Sequence, residues 1–231
     1  SSTLMCVYPH VFKNLGYDPL RDFVPVASVV NMEFGFVAST SAAPGIKSLR
    51  EYVQWVKADP RNGNYGGVGV GSIPHFMGAM LGREAGVAMN YVPFLGGAPH
   101  LQALNGGQIP FGVDVTSGLV PHLGSGRIRL LATSGAERSL PDVPTIAESG
   151  FPGFELVSWY GIVAPAGTPA AIVTVLNAKL NETLRTPDVK AKLEADGALI
   201  LGGAPEQLAR ALRADMDRLG PLVKAAGIKP E

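Results

Sequence analysis

Apolar positions along this chain recur at two spacings, and each spacing names an element. Phe23 to Ala38 is dense in Val and Phe and reads as one or two strands. Past it, Leu49, Tyr52, Val53 and Val56 share one helical face. The helix they predict opens on Ser48-Leu49-Arg50-Glu51, a capping box in which hydroxyl and carboxylate satisfy amides exposed at the first turn. Asn64 to Val68 reads as a short strand. After it Ile73, Phe76, Met77, Met80 and Leu81 fall at i, i+3, i+4, i+7 and i+8, an amphipathic helix.

The alternation continues with strand 90–94, helix 99–105, strand 109–113, helix 118–123 and strand 128–133. Strand–helix–strand crossovers of this length imply an α/β fold whose sheet is mostly parallel, with helices on both faces. The last third is helical. Thr168-Pro169 and Thr186-Pro187 each set an N-cap before a proline at the first helical position, predicting helices 169–185 and 187–196, the second stopped by Gly197. A final helix is expected from Pro205 to Ala226, burying Leu208, Leu212, Leu219 and Val223 and stopped by Gly227. Loop-rich stretches at 38–45 and 150–155 bracket a middle block of one domain's size.

Composition removes several classes of function. With 46% hydrophobic and 16% charged residues the chain can pack a core. Its 19 basic and 19 acidic residues cancel, and no Lys/Arg cluster offers a footprint for nucleic acid. No stretch approaches the ~20 apolar residues that span a bilayer, so direct membrane insertion is not expected. The single cysteine, Cys6, lies among Met5, Val7 and Tyr8 and reads as a buried thiol.

The strongest local chemistry is the segment Gly66-Gly67-Val68-Gly69-Val70-Gly71-Ser72-Ile73-Pro74-His75. It joins a strand to a helix, so free amides and the positive helix end converge where an anion docks. Glycines let backbone approach a ligand, Ser72 caps the helix, and Pro74 gives up only an amide the first turn leaves unbonded. A tight turn with no ligand is the plainer alternative. Dinucleotide binding fails on spacing, since Ser72 or Pro74 stands where the third glycine belongs, and no Gly-Lys-Ser/Thr provides a P-loop. No cofactor is expected.

His75 falls in the first helical turn, where the dipole disfavours its charged form; neutral, it donates to a carboxylate or simply packs. His10, His100 and His122 have no partner at metal-ligand spacing, so no metal site is expected. Gly124-Ser125-Gly126 has the wrong spacing for a nucleophile elbow. Asp114 is the acidic residue at a strand terminus facing the expected cleft, placed to accept from a ligand amine, to orient a water, or to cap the turn near Thr116 and Ser117.

A longer series overlies these readings. Ser1-Ser2-Thr3-Leu4, Tyr17-Asp18-Pro19 and Asp22-Phe23-Val24-Pro25-Val26 are followed by Asn64-Tyr65-Gly66 and Gly69-x-Gly71-Ser72-x-x-His75. Then come Tyr91-Val92-Pro93-Phe94, Gly106-Gly107-Gln108, Leu131-Ala132-Thr133-Ser134 and Leu140-Pro141-Asp142-Val143-Pro144-Thr145. Trp159-Tyr160-Gly161 and Ala164-Pro165-Ala166-Gly167-Thr168-Pro169 close it. In order and spacing the series resembles the substrate-binding proteins of tripartite tricarboxylate transporters, the Bug family of periplasmic receptors, over nearly the whole chain. Two places depart from the pattern. Met5-Cys6-Val7-Tyr8-Pro9 is one residue longer than the family's usual stretch, and Phe94-Leu95-Gly96-Gly97 lacks a lysine, which makes that rim less basic.

The resemblance implies a two-lobed periplasmic-binding-protein-like fold: a first lobe in 1–38, a second in 39–155, and a return to the first in 156–231. It also implies that family members carry several dozen residues before the point matching Ser1, so the first lobe is expected to be incomplete. The implied function is capture of a small carboxylate for a membrane transporter, in the periplasm, by hinge closure and without covalent chemistry. The implied ligand contacts are Ser2 and Thr3 from the first lobe, and Gly69, Val70, Gly71, Ser72, His75 and Asp114 from the second. Two other readings stay open: an α/β enzyme using His75 and Asp114 as acid and base, and a chain that no longer binds ligand.

Overall fold

The computed structural model describes residues 1–195 and 197–225. Asp196, Ala226 and Gly227, at which two helix ends were expected, lie outside the described residues. The chain opens with a π-helical turn, Thr3–Val7, and α1, Tyr8–Val11, followed by β1, Phe23–Ser39. Next come α2 (Leu49–Ala58), β2 (Asn64–Val68), α3 (Ile73–Ala85), β3 (Asn90–Phe94) and α4 (Gly97–Asn105). They lead into β4 (Phe111–Val115), α5 (Thr116–Leu123), β5 (Ile128–Thr133) and β6 (Val157–Pro165). The chain continues through α6 (Ala170–Leu184), α7 (Pro187–Ala195), β7 (Leu199–Ile200) and α8 (Pro205–Ala225). It divides into two compact units, Ser1–Met32 with the chain from Ser158 onward, and Glu33–Val157.

The second unit is built on a sheet ordered β3-β2-β4-β1-β5. β2 pairs parallel with both β3 and β4, while β1 runs antiparallel to β4 and to β5. Four strands therefore share one direction, and β1 alone opposes them. Alternation along the strands assigns the faces. Tyr65 points to α3, where its hydroxyl donates to the His75 carbonyl at 2.6 Å. Phe111 stacks on Tyr52 of α2 at 3.8 Å between centroids. Gly66 and Gly112, one residue along in each strand, point the other way, against His100 of α4. Ala103 and Leu104 of α4 share a buried cluster on that face with Leu119 of α5, Ile109 and Leu130. So α2 and α3 cover one face, and α4 and α5 the other.

The first unit places β7 antiparallel on the early part of β1, Val30 opposite Ile200, with β6 also on β1. Leu208, Leu212, Leu219 and Val223 form the buried face of α8, as their helical spacing predicts. Cys6 is fully buried, its Sγ 3.7 Å from the Leu212 carbonyl. Burial, with the Asp215 charge behind it, pushes the thiol up to about 12.

Local signals set most element boundaries. Ser48 Oγ accepts the Glu51 amide at 3.2 Å, and the Glu51 carboxylate returns to the Lys47 amide at 2.6 Å, so the box closes one residue early. The Thr168 cap is a correction, while α7 does begin at Pro187, with the Thr186 carbonyl accepting the Lys190 amide at 2.9 Å. Thr168 Oγ1 donates to the Pro165 carbonyl at 2.8 Å, leaving Pro169 itself at the N-cap of α6. Thr186 Oγ1 donates to the Thr183 carbonyl at 2.7 Å. A hydroxyl next to a freshly ended turn finds an orphan carbonyl behind it before any amide ahead. β4 begins at Phe111 and not at Ile109, because Pro110 has no amide to give the ladder.

Candidate functional site

The topology of the second unit opens a crevice at one place. From β2 the chain leaves through α3 to β3 on one side. From β4 it leaves through α5 to β5 on the other side, by way of the opposite face. Where neighbouring parallel strands send their connections to opposite faces, the loops at their carboxyl ends part, and ligands of open α/β sheets bind there. Gly66 pairs with Gly112 across β2 and β4. The pairing of β2 with β4 runs from Tyr65 opposite Phe111 to Gly66 opposite Gly112, and both strands continue beyond it. One lip of the crevice is the turn from Gly69 to Ser72; the other carries Asp114, whose side chain turns to the face of α4 and α5.

The turn is held from all sides. Gly69 and Gly71 have φ of +76° and +68°, a left-handed conformation that side chains resist. The Gly69 amide donates to the Phe94 carbonyl of β3 at 3.1 Å, and its carbonyl accepts from Ser72 Oγ at 2.9 Å and from Tyr91 Oη at 2.7 Å. Ser72 caps α3 by accepting the His75 amide at 3.4 Å. Pro74 has no amide, so the helix itself leaves those of Ser72 and Ile73 without partners. Val70, at the tip, is 39% exposed.

His75 stacks on Tyr91 with centroids 4.1 Å apart and planes within 7°. Its Nδ1 accepts the Gly71 amide at 3.2 Å, which puts the proton of the neutral ring on Nε2. The ring thus braces the turn and carries its donor on the far side. Tyr65, beneath it, has its phenol pushed up by burial first and by neighbouring Tyr91 second.

Asp114 belongs to a pair the sequence did not announce. Its Oδ2 lies 2.8 Å from His100 Nδ1, and its Oδ1 accepts the Val115 amide at 2.8 Å. It does not cap α5, whose N-cap is Val115 with no side-chain bond. His100 is completely buried, and its Nε2 has no partner among the described residues. The ring fits because two glycines flank it: a Cβ on Gly112 would stand 2.5 Å from Nε2, and one on Gly66 2.8 Å from Cδ2. That signal was in the sequence only as two glycines 46 positions apart, meaningless until β2 and β4 are in register.

Ser2 and Thr3 belong to the first unit and start the π-helical turn, not a strand end. Ser2 is fully buried, its Oγ 2.8 Å from Ser158 Oγ, so that hydroxyl is already engaged within the fold. Thr3 is half-buried. Among the described residues no three His, Cys, Asp or Glu side chains gather to hold a metal ion, and no helix is long and apolar enough to cross a membrane.

Comparison with known proteins gives the family. The model of the tripartite tricarboxylate transporter family receptor matches residues 1–228. A protein of Pseudomonas sp. strain P51, named for the tcbD-tcbE intergenic region, is 32% identical over 96% of this chain, which spans 67% of that relative. The Rhodopseudomonas palustris protein Rpa4515, solved with adipate, is 33% identical with a TM-score of 0.92, covering 99% of this chain and 76% of its own. The periplasmic binding protein BugD is 29% identical with a TM-score of 0.91, covering all of this chain and 77% of its own. A match over nearly the whole length, with likeness in sequence and in fold, decides the matter: this chain belongs to the tripartite tricarboxylate transporter receptor family, whose members bind solutes.

Proposed function

We propose that the chain is a periplasmic receptor that captures a small organic acid and delivers it to the membrane subunits of its transporter. The observation that carries this reading is the turn Gly69–Ser72 with His75. Two left-handed glycines, a capped helix start and a neutral imidazole protonated on Nε2 converge at a strand edge where α/β sheets take ligands. Fixed dipoles and hydroxyls replace the hydration of a carboxylate there, directly or through water, so no arginine partner is required. The adipate held by the R. palustris relative supports an acid as ligand, and the naming of BugD supports the periplasm.

In this reading Gly69, Val70, Gly71, Ser72 and His75 form the carboxylate subsite, with Asp114 on the facing lip. Ser2 has a structural role, its hydroxyl being engaged with Ser158. The ligand leaves unchanged. A thermal-shift screen of small carboxylic acids, with mass spectrometry of the recovered ligand, tests the proposal, because a ligand that binds only the folded state raises the midpoint with concentration. A saturable rise with the acid recovered intact is the expected result. Turnover of the acid, or no shift from any acid, overturns it.

A further inference from the structure

The turn from Gly69 to Ser72, the donor lip of the crevice, sets polar backbone beside apolar side chains. From Gly66 to Gly71 and from Val92 to Pro99 no side chain carries a polar atom. The Gly69 amide donates to the Phe94 carbonyl at 3.1 Å, so the pairing of β2 with β3 runs on past Val68. Val70 and Leu95, the residues that follow this bonded pair, therefore leave adjacent strands at the same edge of the sheet. Val70 is 39% and Leu95 105% exposed; among the described residues of the second unit, Val120 is the other large apolar side chain so exposed. Charge is missing from the same stretches: neither 64–82 nor 90–113 contains Asp, Glu, Lys or Arg. Arg83 lies in the last turn of α3, about 15 Å from its start. Arg138 follows β5, which stands three strands from β2, about 14 Å away, and it is paired with Glu148 at 2.8 Å. Asp114, the acceptor lip, turns to the face of α4 and α5.

Resting on the carboxylate capture proposed above, we propose that the ligand is a monocarboxylic acid with an apolar body. Its carboxylate docks on the amides of the turn, and its hydrocarbon part covers Val70 and Leu95. A second carboxylate there would give up its hydration with no cation from these loops to replace it. An apolar body instead leaves water together with two exposed aliphatic side chains, which is favourable in proportion to the area covered. The turn selects the carboxylate, and the side chains of Val70 and Leu95 select what it is attached to.

Isothermal titration of the whole chain with matched acids tests this: hexanoate against adipate, butanoate against succinate, and benzoate against terephthalate. The expected result is that the tightest binder is a monoacid, tighter than its diacid partner by about tenfold or more. Leu95→Ser should weaken that acid by about threefold or more, whereas Val120→Ser, on α5, should leave its affinity unchanged. Both side chains are exposed, and circular dichroism checks that both variants fold. A tightest binder that is a diacid, or a monoacid within tenfold of its partner, overturns the inference and leaves carboxylate capture standing. So does a monoacid preference that Leu95→Ser leaves untouched. Silence from all six acids overturns the inference as well, and silence throughout the wider acid screen overturns carboxylate capture with it.

Discussion

Replacing Gly112 by alanine probes whether His100 is clamped as the geometry states. The new Cβ would stand 2.5 Å from His100 Nε2, 2.9 Å from its Cε1 and 3.2 Å from Leu104 Cδ1. Gly66 in the neighbouring strand lies against the same ring, where an added Cβ would stand 2.8 Å from its Cδ2. Overpacking of this kind costs about 1–3 kcal/mol. Tilting the ring also loosens its bond to the Asp114 carboxylate, about 1.5–3 kcal/mol for a hydrogen bond to a charged group. A loss near 3 kcal/mol is the expectation, or a fall in Tm of about 6–12 °C for a chain of this size. His100→Ala is costly in its own right, since it opens a hole and strips Oδ2 of its donor. The decisive measurement is the double variant. With the ring gone the methyl added at position 112 enters vacated space, so urea midpoints should give a coupling of at least about 1 kcal/mol, outside the ~0.5 kcal/mol of independent sites. Additive losses would show that the added methyl is resisted by something other than His100, and the clamp argument would fail.

Ser72→Ala removes the α3 cap and the bond to the Gly69 carbonyl; about 1 kcal/mol of stability and most of the acid-induced thermal shift should go together. Ser48→Ala uncaps α2 for a similar cost and serves as control, since its ligand response should be intact; equal responses in the two variants would remove the turn from the site. Gly71→Ala forces a side chain to φ of +68°, about 1–2 kcal/mol of strain, and titration should show weaker acid binding with helix content kept. Glu33 is half-buried, and burial holds its carboxyl above the usual value of 4.5, with Ser139 and Gly135 opposing. The folded state then keeps its proton where the unfolded state has lost it, so this group's contribution falls as pH rises from 4.5 through the raised folded value. Urea midpoints of Glu33→Gln against the parent should therefore diverge in the variant's favour over that window; parallel curves would contradict the sign.

What the sequence made legible was what its neighbours in the chain decide. The helical faces of α2, α3 and α8 followed from spacing, and the caps at Ser48 and Ser72 from residues three positions apart. The donor lip of the crevice is of this kind. Every group in it lies between Gly69 and His75, apart from Tyr91 and the Phe94 carbonyl, so its chemistry is visible before any fold is known. The cap at Thr168 misled because a hydroxyl chooses between a carbonyl behind and an amide ahead, and that choice depends on how the previous turn ends. The division of β1 between two units falls at Met32–Glu33, inside a continuous strand where no turn residue marks it. The acceptor lip was hidden for a stronger reason. Asp114 meets His100 from one strand later, and the glycines that admit the ring sit in β2 and β4, which β3 and α4 separate in sequence. Only the order β3-β2-β4 makes them neighbours, and the same order splits the loops at the crevice. Strand order thus does two things at once: it parts the loops where open α/β sheets take ligands, and it brings together the two glycines that admit the His100 ring. In the proposed reading the capture of an acid rests on seven consecutive residues, Gly69 to His75, whereas the Asp114–His100 pair exists only because of that order.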